Sequence, residues 1–159
     1  MITSKNITTK RYKKLIPSST GEKINVITIK MQFIKIMDFR SLHVYKKGFQ
    51  LAMEIYETSK SFPKEEKYSL TDQIRRSSRS TCSNVAEAYR KRNYPKHFKS
   101  KLTDSDGENS ETLVWLEFAY ACKYIEKDEF KKFEVETHEI GKLINYMILN
   151  PEKFGSSKD

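Results

Sequence analysis

Five glycines and four prolines in 159 residues leave little with which to turn or break a backbone. A strand-and-turn architecture needs such residues every few positions, so their scarcity favours long helices. Cysteine is scarcer still. Cys82 and Cys122 are the only two, and the three histidines, His43, His97 and His138, are scattered. That set does not make a zinc cluster, so neither a metal nor a cofactor is expected. The two thiols read as reduced, buried side chains of a cytoplasmic protein. No apolar run approaches the roughly 20 residues of a membrane span. The basic N-terminus is broken by Pro17 and Gly21 and lacks the apolar core of a signal peptide.

Acidic residues are nearly missing from the first 36 positions. Eight Lys/Arg stand there against Glu22 alone, a net of +7, whereas the rest of the chain holds 22 against 20. The formal charge of +9 therefore resides mostly in the leading segment. Residues 1–23 are polar and read as disordered. Residues 24–36 alternate apolar side chains at Ile27, Ile29, Met31 and Phe33, as a strand would, yet nothing downstream offers that strand a partner. We expect residues 1–36 to be an upstream extension, a domain to begin near Met37 and run to 154, and residues 155–159 to form a flexible tail.

From residue 40 the apolar period becomes helical. Leu42, Tyr45, Phe49, Ala52, Tyr56 and Ser59 recur at spacings of three and four, widened by Leu51 and Ile55, and the run stops before Pro63. Ser69 and Asp72 resemble a capping box opening a second helix over about 70–93. Its inward stripe is Ile74, Ser77, Ser78, Thr81, Val85 and Ala88. Pro95 suits the first turn of a third helix with the stripe Phe98, Leu102, Ser105, Asn109, Thr112, Leu116 and Ala119. A fourth carries Phe130, Phe133, Thr137, Ile140, Ile144 and Met147 and ends at Pro151. Four helices with short connectors predict an all-α, antiparallel, up-down-up-down four-helix bundle.

The second helix is unusual in its centre, "SSRSTCS" at 77–83. No general base and no Gly-x-Ser-x-Gly elbow accompanies these serines, so no catalytic residue is assigned. Small side chains let backbones approach, and their hydroxyls can bond a carbonyl one turn back, which predicts a packing seam. Gln73, Asn84, Glu87, Glu108 and Glu111 are placed as a structural polar network between helices two and three, with Trp115 beside it. The ends of the second helix carry the functional expectation. Arg75, Arg76 and Arg79 form one patch; Arg90, Lys91, Arg92, Lys96 and Lys99 form another, with Tyr89 and Tyr94 interleaved. Such cations can track phosphates, and the tyrosines can stack bases.

The pieces "MDFRSLHVYKKGFQLAMEIYE", "FPKEEKYSLTDQIRRSS", "SNVAEAYRK", "LTDSDGENSETLVWLEFA" and "EIGKLI" occur in an order that resembles the bacterial 23S rRNA intervening-sequence proteins. The accessory proteins of diversity-generating retroelements are of the same group. The likeness covers about residues 37–154. It departs from the family at Thr81, often aliphatic there, and at Ala88, often glycine. It implies a pentameric ring of bundles with a basic surface that binds nucleic acid, or a reverse transcriptase in the retroelement branch. The residues matching the family's basic positions are Arg75, Arg76, Arg90 and Arg92.

Three functions compete. The first is a non-catalytic, oligomeric protein that binds structured RNA or DNA through its basic helix ends. The second is an interaction scaffold for a reverse transcriptase or a ribosome-associated partner. The third is a metal-independent ribonuclease, because Arg92 and His97 in "RNYPKH" match the arginine–histidine spacing of a different helical ribonuclease superfamily.

Overall fold

The computed structural model describes residues 38–158. The extension to 36 and its strand-like segment lie outside them. The described chain is all helical: α1 spans His43–Thr58, α2 Leu70–Arg90, α3 Pro95–Ala121 and α4 Lys127–Leu149. Short 3-10 turns flank them at Phe39–Ser41, Ser59–Ser61, Lys64–Tyr68 and Pro151–Phe154.

Cross-helix pairs give the direction of each neighbour. Ser105 donates to the Thr81 carbonyl at 2.8 Å, and Thr112 donates to Ser77 Oγ at 3.0 Å, so α3 ascends as α2 descends. Asn109 bonds the Thr137 carbonyl, and Tyr120 stacks on Phe130, which makes α3 and α4 antiparallel. Lys47 reaches Glu139, and Thr58 reaches Glu129, which does the same for α1 and α4. The helices neighbour one another in the cyclic order α1, α2, α3, α4, an up-down-up-down bundle.

The core follows the predicted stripes of α3 and α4 position for position, and that of α2 with Leu70, Thr71, Cys82 and Tyr89 buried besides. The hydroxyls at the centre of α2 are satisfied inside, whereas that of buried Thr71 in its first turn has no partner among the described residues. Ser77 and Ser78 donate to the carbonyls of Ile74 and Arg75, and Thr81 donates to that of Ser77. The hydroxyl-rich centre of α2 is therefore a close-packed seam.

Helix α1 keeps most of its expected stripe, with Leu51, Ala52, Ile55 and Ser59 buried and Leu42, Tyr45 and Tyr56 half-buried, but Phe49 is turned out. Its buried residues are Val44, Gly48, Leu51, Ala52 and Ile55, whereas Phe49 is 53% exposed and Met53 42%. The reason is Gly48. A Cβ there would sit 3.1 Å from Cys82 Sγ, so the small glycine faces α2 and lets the helices approach. Two local expectations also change. Cys82 is buried, but Cys122 is exposed. Ser69 makes no capping bond of its own. Instead the Glu66 carboxylate accepts from the Ser69 hydroxyl, the Leu70 amide and the Tyr124 hydroxyl, tying both loops at that end of the bundle together. Those donors hold the Glu66 carboxyl below its ordinary pKa.

Candidate nucleic-acid interface

The chain between α2 and α3 is only residues 91–94, so the last turn of α2 and the first turn of α3 form one corner. Arg90, Lys96 and Lys99 project from it, exposed, and none of the ion pairs among the described residues uses them. The first turn of α3 contains no acid. Its lysines therefore add to the positive end of the helix dipole instead of opposing it. Tyr94 is 65% exposed at the same corner, its ring edge-on to His97.

Other predicted site residues there are committed. Arg92 is half-buried, lies 4.3 Å over the Tyr89 ring and donates to the Tyr89 carbonyl at 2.6 Å. Tyr89 itself is buried, so its ring is closed to a stacking base. Gly155, at φ 83°, brings the chain beyond α4 back against Arg92; a Cβ there would stand 3.5 Å from Arg92 Cδ. Lys91 pairs with Glu87 at 3.7 Å. Arg92 and His97 share no hydrogen bond among the described residues, and Arg92 is turned to Tyr89.

The other patch lies at the opposite end of α2, about 22 Å away at 1.5 Å per residue. Arg75 and Arg79 sit over the Tyr56 ring at 4.9 and 5.6 Å, and Arg75 Nε donates to Ser59 Oγ at 2.7 Å. Arg76 is exposed and faces Glu108, whose carboxyl is raised first by burial and then by Glu111, with Arg76 pulling it down. Sequence periodicity carries no signal for the Tyr56 stack, because α1 and α2 meet only in the folded chain.

The predicted polar network separates into two clusters. Lys101 bonds Asn84 at 3.3 Å and pairs with Glu87 at 3.3 Å and Asp104 at 3.2 Å. Glu108 and Glu111 lie further along α3, where Glu111 accepts from Trp115 Nε1 at 2.9 Å. The register explains the separation: Thr81 stands opposite Ser105, which puts Asn84 beside Lys101 and away from Glu108. Gln73 makes no side-chain hydrogen bond among the described residues. No group of three or more metal-ligating side chains occurs among the described residues, and no helix among them is long and apolar enough to cross a membrane.

Two grooves lie on opposite sides of the bundle. Between α1 and α2, Tyr45, Phe49, Met53 and Ala86 line a mostly apolar groove of about 350 Å³, with Arg79 at its edge. Between α3 and α4, Leu113 and Val114 lie in a groove that also holds Asp106, Glu117 and His138.

The model of the 23S rRNA-intervening sequence protein family matches residues 40–146, two-thirds of the chain and all of α1–α3. The chain belongs to that family. A solved structure of an S23 ribosomal protein family member of unknown function, from Bacteroides thetaiotaomicron, is 29% identical. It superposes with a TM-score of 0.60 over 66% of this chain and 94% of its own. No curated protein matches the chain. Family membership thus accounts for the bundle, and the properties of this member's surface come from its own residues.

Proposed function

We propose that this family member is a non-catalytic, self-associating nucleic-acid-binding protein of the cytoplasm. One observation carries the binding: Arg90, Lys96 and Lys99 crowd the positive end of α3 without an ion-pair partner among the described residues. A phosphate backbone relieves that repulsion and releases counterions as it does so. Exposed Tyr94 supplies a ring on which an unpaired base can stack.

Self-association is supported by the two unlike grooves. An exposed aromatic face on α1 marks an interaction surface. Its lining is mostly apolar, whereas the opposite groove mixes Leu113 and Val114 with the charged Asp106, Glu117 and Lys142. Unlike faces on opposite sides join copies head to tail, and such contacts close into a ring when the rotation permits. A pentamer is the ring proposed here. It would repeat each basic corner around one axis, so that modest contacts combine.

Filter binding against an RNA hairpin and a DNA duplex over a salt series tests the reading. Binding should weaken steeply with salt, and the Arg90→Gln/Lys96→Gln/Lys99→Gln variant should lose it. A folded protein that retains neither nucleic acid at low salt refutes the proposal.

A further inference from the structure

The corner just described is not the most highly organised cationic feature of the molecule. Three cations surround one ring: Lys60 Nζ, Arg75 Cζ and Arg79 Cζ lie 4.8, 4.9 and 5.6 Å from the centroid of Tyr56. Lys60 is neutralised by Glu57 at 2.6 Å. Arg75 and Arg79 enter no ion pair among the described residues, although they stand one helical turn apart, where like charges repel.

The geometry of Arg75 is restrained on two sides. Its face rests on Tyr56, and its Nε donates to Ser59 Oγ, which is buried and in turn donates to the Tyr56 carbonyl at 3.1 Å. The two terminal amino groups of Arg75 have no acceptor among the described residues. A guanidinium held by its face and its Nε edge presents those terminal N–H donors together, an arrangement that matches the oxygens of a phosphate. Arg79, exposed and without a hydrogen bond among the described residues, brings a second guanidinium to the same ring. Because Arg75 is already ordered by the protein, less side-chain entropy is lost when a ligand binds.

We infer that Tyr56, Ser59, Arg75 and Arg79 form a preassembled clamp for a phosphodiester of a bound nucleic-acid strand. The clamp rests on the nucleic-acid reading above and deepens it. The strand is contacted at two places about 22 Å apart along α2, which is 15 residues at 1.5 Å each. The corner supplies diffuse charge, and the clamp supplies oriented donors. Arginine rather than lysine is required, since only the planar group can stack on Tyr56 and still present paired donors.

Fluorescence anisotropy with a labelled RNA hairpin and a labelled DNA duplex, over a salt series, tests this. The Arg75→Gln/Arg79→Gln variant should bind about tenfold or more weakly, and its log-affinity against log-salt slope should fall by about two. Arg75→Lys/Arg79→Lys should keep the slope and still lose affinity, Tyr56→Leu should weaken binding, and Tyr56→Phe should not. Circular dichroism melts establish that each variant is folded, and the lysine pair keeps the test valid if the glutamine pair is not. A folded glutamine variant with wild-type affinity and slope overturns the clamp while leaving the basic corner intact. So does one that changes only the mass of the assembly, since the arginines would then be contacts between copies. If the wild-type protein binds neither nucleic acid, the proposed function fails. Inorganic phosphate titrated against the Arg75 Nε–H resonance then decides: a saturable shift supports a phosphate site, and none overturns it.

Discussion

The seam between α2 and α3 and the outer side of α1 carry side chains opposite in character to their surroundings. In the seam, Ser77, Thr81, Ser105 and Thr112 are at most 3% exposed; on α1, Phe49 is 53% exposed. Each hydroxyl in the seam reaches a carbonyl or another hydroxyl, at distances from 2.8 to 3.4 Å. Desolvating them therefore leaves no unmet hydrogen bond, and their small size lets α2 and α3 pack closely. Phe49 has no such place. The side of α1 facing the core is taken by Gly48, Leu51 and Ile55, and its ring is left exposed. Polarity alone does not sort this molecule into inside and outside; size and hydrogen-bond satisfaction do.

The largest test of that contrast is Ser105→Leu. It puts a bulky side chain where Ser105 meets Thr81 and should cost about 1–3 kcal/mol by overpacking, read as a lower thermal midpoint. An unchanged midpoint would mean that the seam is loose. Ser77→Ala should cost about 0.5–1.5 kcal/mol in urea unfolding, because Thr112 loses its cross-helix acceptor. On the outer face, Phe49→Ser should leave the stability of a single bundle within about 0.5 kcal/mol of wild type. Light scattering should nevertheless show a smaller assembly; an unaltered mass would remove α1 from the interface.

Thiol labelling extends the comparison at no cost to the fold. Burial pushes the Cys82 thiol up to about 11, so a maleimide at neutral pH should modify exposed Cys122 and spare Cys82. Equal labelling of both would show that α1 and α2 separate readily. The smallest effect concerns Glu108. Burial and Glu111 raise its carboxyl pKa in the fold, against the pull of Arg76. The folded protein therefore holds that proton more tightly than the unfolded chain does. The resulting stability is complete below the ordinary glutamate value and is lost as pH rises through the raised one. Glu108→Gln should change the unfolding free energy by less than about 0.5 kcal/mol, and the difference from wild type in urea unfolding should grow as pH rises through that window.

Much of the fold could be read without coordinates. Phe98 to Ala119 and Phe130 to Met147 were legible because a side chain every three or four residues has only one face to share on a helix. The stripe on α1 failed only at Phe49, because Gly48 counts for nothing on a hydrophobicity scale, yet its missing side chain admits Cys82. The basic residues were legible as a set, but not in their roles. Arg92 folds onto Tyr89, Lys91 answers Glu87, and Arg75 and Arg79 share Tyr56, a residue from another helix.

The sequence by itself determined that the described residues form four helices, where they break, and which sides of α2, α3 and α4 face inward. These depend on local spacing and on proline, which act within a few residues. Tertiary structure alone decided that Gly48 faces α2 while Phe49 turns out, that the polar residues of α2 and α3 form two clusters, and which arginines are left without a counter-charge among the described residues. Those outcomes depend on the register of helices distant in sequence, and the register is set by how closely small side chains allow the backbones to approach.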